Sequence, residues 1–305
     1  VDDIEMEISH AVRGEEWLPS APAHILVYRY LGLEDKMPLL AHLPLILKPD
    51  GNGKLSKRDK SGLPMFPLDW YDERTGERYV GYRESGFFSE AFVNMLAFLG
   101  WNPGGTQEIF SKEELIEAFS FERIHKAGAK FDPDKTKWFN QQYLRKKNDA
   151  ELAELFTPLL IEQFKAIGNA ELPSAAYIQG VCRLVKEKAH FINEFWNFGS
   201  YFFEAPKTYD AEVLKKRLNE QTFSFVKELQ LSFEAMEDFT TANTETVFKS
   251  TAERLGIGSG QVMQLFRVCI SGVGGGPQLF EMLELLGKQE VNKRIDAFVN
   301  ANKLA

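Results

Sequence analysis

After residue 150 the chain keeps one pattern. Apolar residues fall three and four apart in ELAELFTPLLIEQF, AAYIQGVCRLVKEKAHF, DAEVLKKRLNEQ, FSFVKELQL and QLFEMLELLGKQEVNKRIDAFV. This spacing gathers the apolar groups into one stripe of a helix, and it predicts an array of about eight to ten helices with no strand-like run. No segment recurs at a fixed interval, which sets a solenoid aside.

Before residue 150 the pattern is mixed. APAHILVYRYLG predicts a helix of about three turns, with Ser20 as its cap, Pro22 in the first turn and Gly32 at the stop. LLAHLPLIL is a short unbroken apolar run leading into a Gly-rich turn, the pattern of a buried parallel strand with a ligand loop at its carboxyl end. A polar and aromatic stretch, DWYDERTGERYVGYRESG, predicts a hairpin around Thr75-Gly76. Helices follow in FFSEAFVNMLAFLG, which stops at Gly100, and in SKEELIEAF, which opens on the capping box Ser111 and Glu114. FDPDKTKWFNQQYLRK places Pro133 at a first helical position behind Asp132, with Phe139 and Tyr143 on one face. The whole reads as a mainly α chain in three parts, 1–65, 66–150 and 151–305. The aromatic stretch Trp70 to Tyr82 receives no function.

Composition narrows this picture. A chain of 305 residues, 44% hydrophobic and 26% charged, is ordinary globular material with room for two or three domains. A net charge of -8 argues against binding nucleic acid by bulk electrostatics, and no DNA partner is expected. The stretch Arg123 to Lys147 is nonetheless locally basic, as either a solvated face or an RNA-facing track. Cys182 and Cys269 sit among apolar residues, as two reduced core thiols would, and the five histidines lack ligand spacing. We therefore expect no disulfide and no structural zinc or other bound metal. No apolar run reaches the ~20 residues of a membrane span, and a cytoplasmic monomer is expected.

The candidate chemistry lies in KPDGNGKLSKRDK, residues 48–60. It is not a Walker-type phosphate loop: Leu55, rather than Ser or Thr, follows Gly53-Lys54, and Lys48 stands where the first glycine belongs. Composition alone equally admits a solvated hinge. KLSKR, Lys54 to Arg58, resembles the KMSKS signature of class I aminoacyl-tRNA synthetases. It stands with RGEEWLPSAP upstream, HLPLILKPDGNG directly before it and LFRVCISGVGGGPQLFEMLELLGKQ near the end. Together these segments resemble bacterial glutamyl-tRNA synthetases across essentially the whole chain.

The resemblance implies the carboxyl-terminal portion of a Rossmann-type α/β catalytic domain in 1–65, a stem-contact region in 66–150 and an α-helical anticodon-binding domain in 151–305. The implied activity is ATP-dependent activation of glutamate, with ATP entering as its Mg2+ complex, and transfer to tRNA(Glu). Lys54 and Lys57, with Arg58 in a lesser role, would follow the charge that builds on departing pyrophosphate. Gly51 and Gly53 would give the loop hinge freedom. Arg13 would take a carboxylate of glutamate, Glu16 and Trp17 would face ATP and the tRNA acceptor end, and the backbone of Leu45 and Ile46 would hold adenine. Arg267, Pro277, Leu279 and Phe280 match positions that contact anticodon bases, although Pro277 to Phe280 also reads as a helix start with a core phenylalanine. Lys188 stands where a base-reading arginine is common. Lysine keeps that charge but not the planar fork, so discrimination between tRNA(Glu) and tRNA(Gln) stays open.

One family signature, HIGH, is absent, and the first methionine is Met6. The resemblance therefore implies that the half of the catalytic domain carrying HIGH precedes Val1. On this reading the full-length parent is the ligase, and the chain by itself shows no glutamate-dependent pyrophosphate exchange. The alternative is a non-catalytic tRNA-binding module derived from a synthetase, against which the intact KLSKR and RGEEW speak. A glutaminyl enzyme would carry β-barrels in place of the helical end, and the short glutamyl-queuosine enzymes lack a large anticodon part.

Overall fold

The computed structural model describes residues 1–56, 64, 66–168 and 171–302. It divides into two compact units, Val1–Tyr143 and Leu144–Ala305. In chain order the first holds α1 (Asp2–Glu5), β1 (His10–Gly14), a 3-10 turn (Glu15–Ser20), α2 (Ala21–Tyr30), β2 (Leu39–Leu43), β3 (Ile46–Leu47), β4 (Trp70–Asp72) and β5 (Glu77–Tyr79). It continues with α3 (Ser89–Ala97), α4 (Lys112–Ala118), β6 (Ala129–Lys130) and most of α5 (Pro133–Lys146). Parallel pairing joins β1 to β2 and β3 to β6, while β4 and β5 make the expected antiparallel hairpin.

Local signals translate directly into elements. Ser111 accepts the Glu114 N–H at 3.1 Å and Glu114 accepts the Ser111 N–H at 2.6 Å, closing the capping box that starts α4. Asp132 Oδ1 accepts the N–H groups of Asp134 and Lys135, so two of the first-turn donors of α5 are satisfied behind Pro133. Ser20 departs from expectation: its hydroxyl donates to the Trp17 carbonyl at 2.8 Å and caps no N–H of α2.

The apolar run LLAHLPLIL is not one buried strand. Pro44 lies between β2 and β3, and the two halves pair with different partners, β1 and β6. Proline has no N–H to give a ladder, which favours a break there. Leu39 and Ile46 are exposed, so the strands are covered on one side at most. Deeper in this unit, buried Asn94 accepts the Phe110 N–H at 2.8 Å and donates to Glu108 O at 3.0 Å. The Tyr143 hydroxyl donates to Asn94 Oδ1 at 2.7 Å, tying α3 to α5.

The second unit is helical throughout: α6 (Asp149–Ala166), α7 (Ala175–Val185), α8 (Phe195–Gly199), α9 (Ala211–Arg217), α10 (Glu220–Glu234), α11 (Thr241–Arg254), α12 (Ser259–Ser271) and α13 (Leu279–Ala301). Its interior is a ladder of rings. Phe248 lies 5.1 Å from Phe225, 5.7 Å from Phe266 and 5.5 Å from Phe280, centroid to centroid, and meets Phe225 and Phe280 edge to face, as the ring quadrupole favours. A buried arginine crosses this interior: Arg294 donates to Tyr201 O at 2.7 Å and Ile270 O at 3.0 Å and pairs with Glu290. The Ile270 carbonyl belongs to the last turn of α12 and lacks an intrahelical partner, so the guanidinium completes that helix end. Cys182 and Cys269 are free and buried, as their apolar surroundings indicated. The mainly α architecture is the expected one.

Candidate nucleotide and anticodon sites

The first candidate site grows out of the end of β1. Arg13, its fourth residue, donates from Nη1 to the His24 ring, 3.2 Å from Nδ1, and Nη2 lies 3.8 Å from Asp3 Oδ2. Tyr28 donates to the same Asp3 oxygen at 3.3 Å. The chain then turns through Glu15–Ser20 and presents two consecutive carboxylates. Glu15 Oε1 accepts the Leu45 backbone N–H at 3.3 Å. Glu16 Oε1 accepts from Lys54 Nζ at 2.6 Å. The hydrogen bond from Lys54 is the main cause that holds the Glu16 carboxyl below the usual range. Trp17, on the same turn, is 52% exposed.

Lys54 arrives there through a tight reversal. Lys48 N–H donates to Gly53 O at 3.0 Å and Leu55 N–H to Ile46 O at 2.8 Å, an antiparallel bridge that sets Leu47 opposite Lys54. Gly51 and Gly53 have φ of +81° and +87°, with open space where a Cβ would stand. Their requirement is conformational, since L side chains rarely adopt that backbone. The other edge of β3 is taken by β6: Ala129 N–H donates to Leu45 O at 3.1 Å and Phe131 N–H to Leu47 O at 3.0 Å. Lys57 and Arg58 lie outside the described residues.

Five of the residues singled out in the sequence thus share one neighbourhood: Glu16, Trp17, Leu45 and Lys54 around the Glu15–Ser20 turn, with Arg13 on the strand feeding it. Ile46 follows Leu45 in β3, its carbonyl taken by Leu55. Sequence reading missed Glu15, His24 and Asp3. The doubled acid in GEEW was a visible sign for Glu15. Nothing local announces a carboxylate bonded 30 residues ahead.

The second candidate site belongs to the helical unit. Arg267, on α12, donates from Nη1 to Pro277 O at 2.6 Å, fastening the Gly-rich loop between α12 and α13. Burial pushes its pKa below the ordinary arginine value, with nearby Tyr201 opposing. A Cβ on Gly276 would stand 3.0 Å from Arg267 Nη1 and 3.2 Å from Tyr201 Oη, so this close approach favours glycine. Gln278 caps α13 by accepting the Glu281 N–H at 2.6 Å. Leu279 and Phe280 are 2% and 3% exposed, and Phe280 packs on Phe248. Both residues are core, backbone included. Lys188 is an exposed residue after α7, and among the described residues no bond links it to Arg267 or Pro277. Its neighbours are spoken for: Lys186 pairs with Asp149 at 2.8 Å and Arg145 with Glu187 at 3.2 Å.

Comparison with known proteins covers nearly the whole chain. Residues 1–138 match the model of the class I tRNA synthetase (E and Q) catalytic domain, and residues 151–299 match that of an anticodon binding domain. Over 303 residues the chain is 51% identical to the glutamate–tRNA ligase of Flavobacterium johnsoniae, covering 99% of this chain and 58% of that protein. The Flavobacterium psychrophilum glutamate–tRNA ligase is 52% identical over 299 residues, covering 97% and 57%. A glutamate tRNA ligase from Elizabethkingia meningosepticum, solved in complex with its amino acid, superposes with a TM-score of 0.89 at 40% identity, covering 99% of this chain and 59% of that one. Residues 1–138 and 151–299 thus carry the marks of a class I tRNA synthetase (E and Q) catalytic domain and of an anticodon binding domain, and over nearly its whole length the chain is similar to glutamate–tRNA ligases. It spans about 58% of the length of the curated relatives it matches. Among the described residues, no helix is long and apolar enough to cross a membrane.

Proposed function

We propose that this chain supplies the signature loop and the tRNA-reading part of a glutamate–tRNA ligase. The observation that carries this reading is the convergence of Lys54 Nζ and the Leu45 N–H on adjacent carboxylates, Glu16 and Glu15. These are the groups that the family resemblance assigns to the pyrophosphate and the adenine of ATP. They meet at one short turn, Glu15–Ser20, each holding a carboxylate that a nucleotide would displace.

In this reading Lys54, with Lys57 and Arg58, stabilises charge developing on the leaving pyrophosphate. Preorganised donors aimed at such charge typically contribute about 10²–10³ in rate each. Arg13 offers its guanidinium fork to a carboxylate of glutamate. Mg2+ enters with ATP, held through phosphate oxygens and water. Residues 66–150 contact the tRNA stem through the basic stretch, in which Lys126 and Lys130 are exposed. Residues 151–305 read the anticodon, with Arg267 and Pro277 ordering the loop, Leu279 and Phe280 anchoring the start of α13 beneath it, and Lys188 contributing an exposed ammonium.

Two measurements test this. Affinity of the chain for tRNA(Glu) is expected to fall steeply with salt and to fall further in Arg267→Ala; an unchanged affinity in that variant removes the anticodon role. In a longer chain spanning the full length of its relatives, Lys54→Ala is expected to slow glutamate-dependent pyrophosphate exchange by about 10²–10³ while leaving tRNA affinity nearly intact. Equal losses of exchange and affinity would make Lys54 a tRNA-backbone contact, as the alternative reading of a non-catalytic tRNA-binding module requires.

A further inference from the structure

Where α12 gives way to α13, the chain turns one polar side chain outward. Of residues 274–280, Gly275 and Gln278 are exposed, and glycine has no side chain to offer. The neighbours of Gln278 are engaged elsewhere. Arg267 spends Nη1 on the carbonyl of half-buried Pro277, and Leu279 and Phe280 are core.

The Gln278 carboxamide is held in one orientation. Its Oε1 accepts the Glu281 N–H at 2.6 Å and so satisfies a first-turn donor of α13. Turned the other way, the amide would set its own N–H groups against that N–H, so the cap fixes oxygen toward the helix and nitrogen away from it. Among the described residues Nε2 donates to no acceptor. The side chain is thus a donor of known direction on an exposed surface.

Its surroundings suit RNA. Helices α7 and α13 run side by side in opposite directions: a Cβ on Gly180 would stand 2.6 Å from the Leu285 side chain, and Arg183, further along α7, donates at 2.9 Å to Glu281, earlier in α13. Followed the same way, α7 leads out to Lys188 and α13 back to Gln278, so an exposed ammonium and the oriented amide mark one end of the pair. Arg183 also answers the charge of Glu281, the carboxylate on the turn that Gln278 caps. Unstacked RNA bases are read by hydrogen bonds to their exposed edges. A fixed N–H2 matches the exocyclic oxygen of uracil or guanine and opposes the amino group that cytosine or adenine carries in its place.

We propose that Gln278 is a specificity-determining residue of the tRNA-reading surface, its amide N–H2 donating to the exocyclic oxygen of one anticodon base. This rests on the anticodon reading of residues 151–305 and adds to it the chemistry of one contact.

The test measures the affinity of the chain for tRNA(Glu) transcripts in which each anticodon base is exchanged in turn for its oxo or amino counterpart, U with C and G with A. At one position the wild-type chain is expected to favour the oxo base about tenfold. Gln278→Met, which has no donor, is expected to bring that preference within about twofold and to leave the other positions as they were. Gln278→Glu keeps an acceptor for the Glu281 N–H, so its urea midpoint is expected to stay at the wild-type value while its preference at the same position reverses toward the amino base. A preference that survives both substitutions, or an affinity that falls equally for every transcript, overturns the proposal and leaves Gln278 as a helix cap. A wild-type chain indifferent to every exchange overturns the anticodon reading itself, and this contact with it.

Discussion

Residues 1–143 and 144–305 are built on different terms. Of the largest fully buried side chains among the described residues, all but Phe139 belong to the second region. The first carries strands of two to five residues and an exposed candidate site secured by single polar contacts. Burial of aromatic and aliphatic groups dominates folding energetics, whereas exposed ion pairs contribute little. Substitutions in the helical region should therefore act through stability, and those around Glu15–Ser20 through chemistry.

The largest expected effect that sharpens this contrast is Phe248→Ala, which removes a fully buried ring touching Phe225, Phe266 and Phe280. A loss of about 3–5 kcal/mol is expected in urea unfolding. Arg294→Ala comes next, at about 3 kcal/mol by the same measurement, because the carbonyls of Tyr201 and Ile270 lose their donor inside the core. Ser111→Ala opens the capping box of α4 and is expected to cost about 1 kcal/mol. A loss as large as that of Phe248→Ala would break the contrast, since it would make a surface cap in the first region equal to a core ring in the second.

The smallest expected effect is in Lys54→Ala, which should leave thermal unfolding unmoved. Its signature is a titration. With its pKa lowered from the ordinary glutamate value, chiefly by the Lys54 hydrogen bond, Glu16 favours the folded state at pH above the unfolded carboxyl pKa. That contribution fades as pH falls through the lower, folded value. Carbon-detected NMR of the Glu16 carboxyl should show the depressed midpoint and its return toward 4.5 in Lys54→Ala; an unmoved midpoint would mean that the ion pair does not form in solution.

What could be read from the sequence was local. The Ser111–Glu114 box, the Pro133 start and the hairpin at Thr75-Gly76 each rest on residues within a few positions of one another, and each formed as expected. The break of LLAHLPLIL into strands with separate partners depends on β1 and on β6, whose Ala129 lies opposite Ile46. No window around the run contains that information. In the candidate sites, residue types identified Lys54 and Arg267, but their immediate partners, Glu16 and the Pro277 carbonyl, are contacts that only the fold supplies. The burial of Phe280 shows the same limit, because a helix start suitable for touching a base and one that fills a core look alike in one dimension.

The two enclosed thiols have a practical consequence. Burial lifts the Cys182 pKa to about 12 and that of Cys269 well above its ordinary value, so neither offers a thiolate to a modifying reagent while the fold is closed. Both lie beyond Leu144, and the chain has 2 cysteines in all. A sulfhydryl dye added to the native chain should thus remain dark until the helical region opens, making these two side chains a gauge, already in place, of when that half of the molecule lets go.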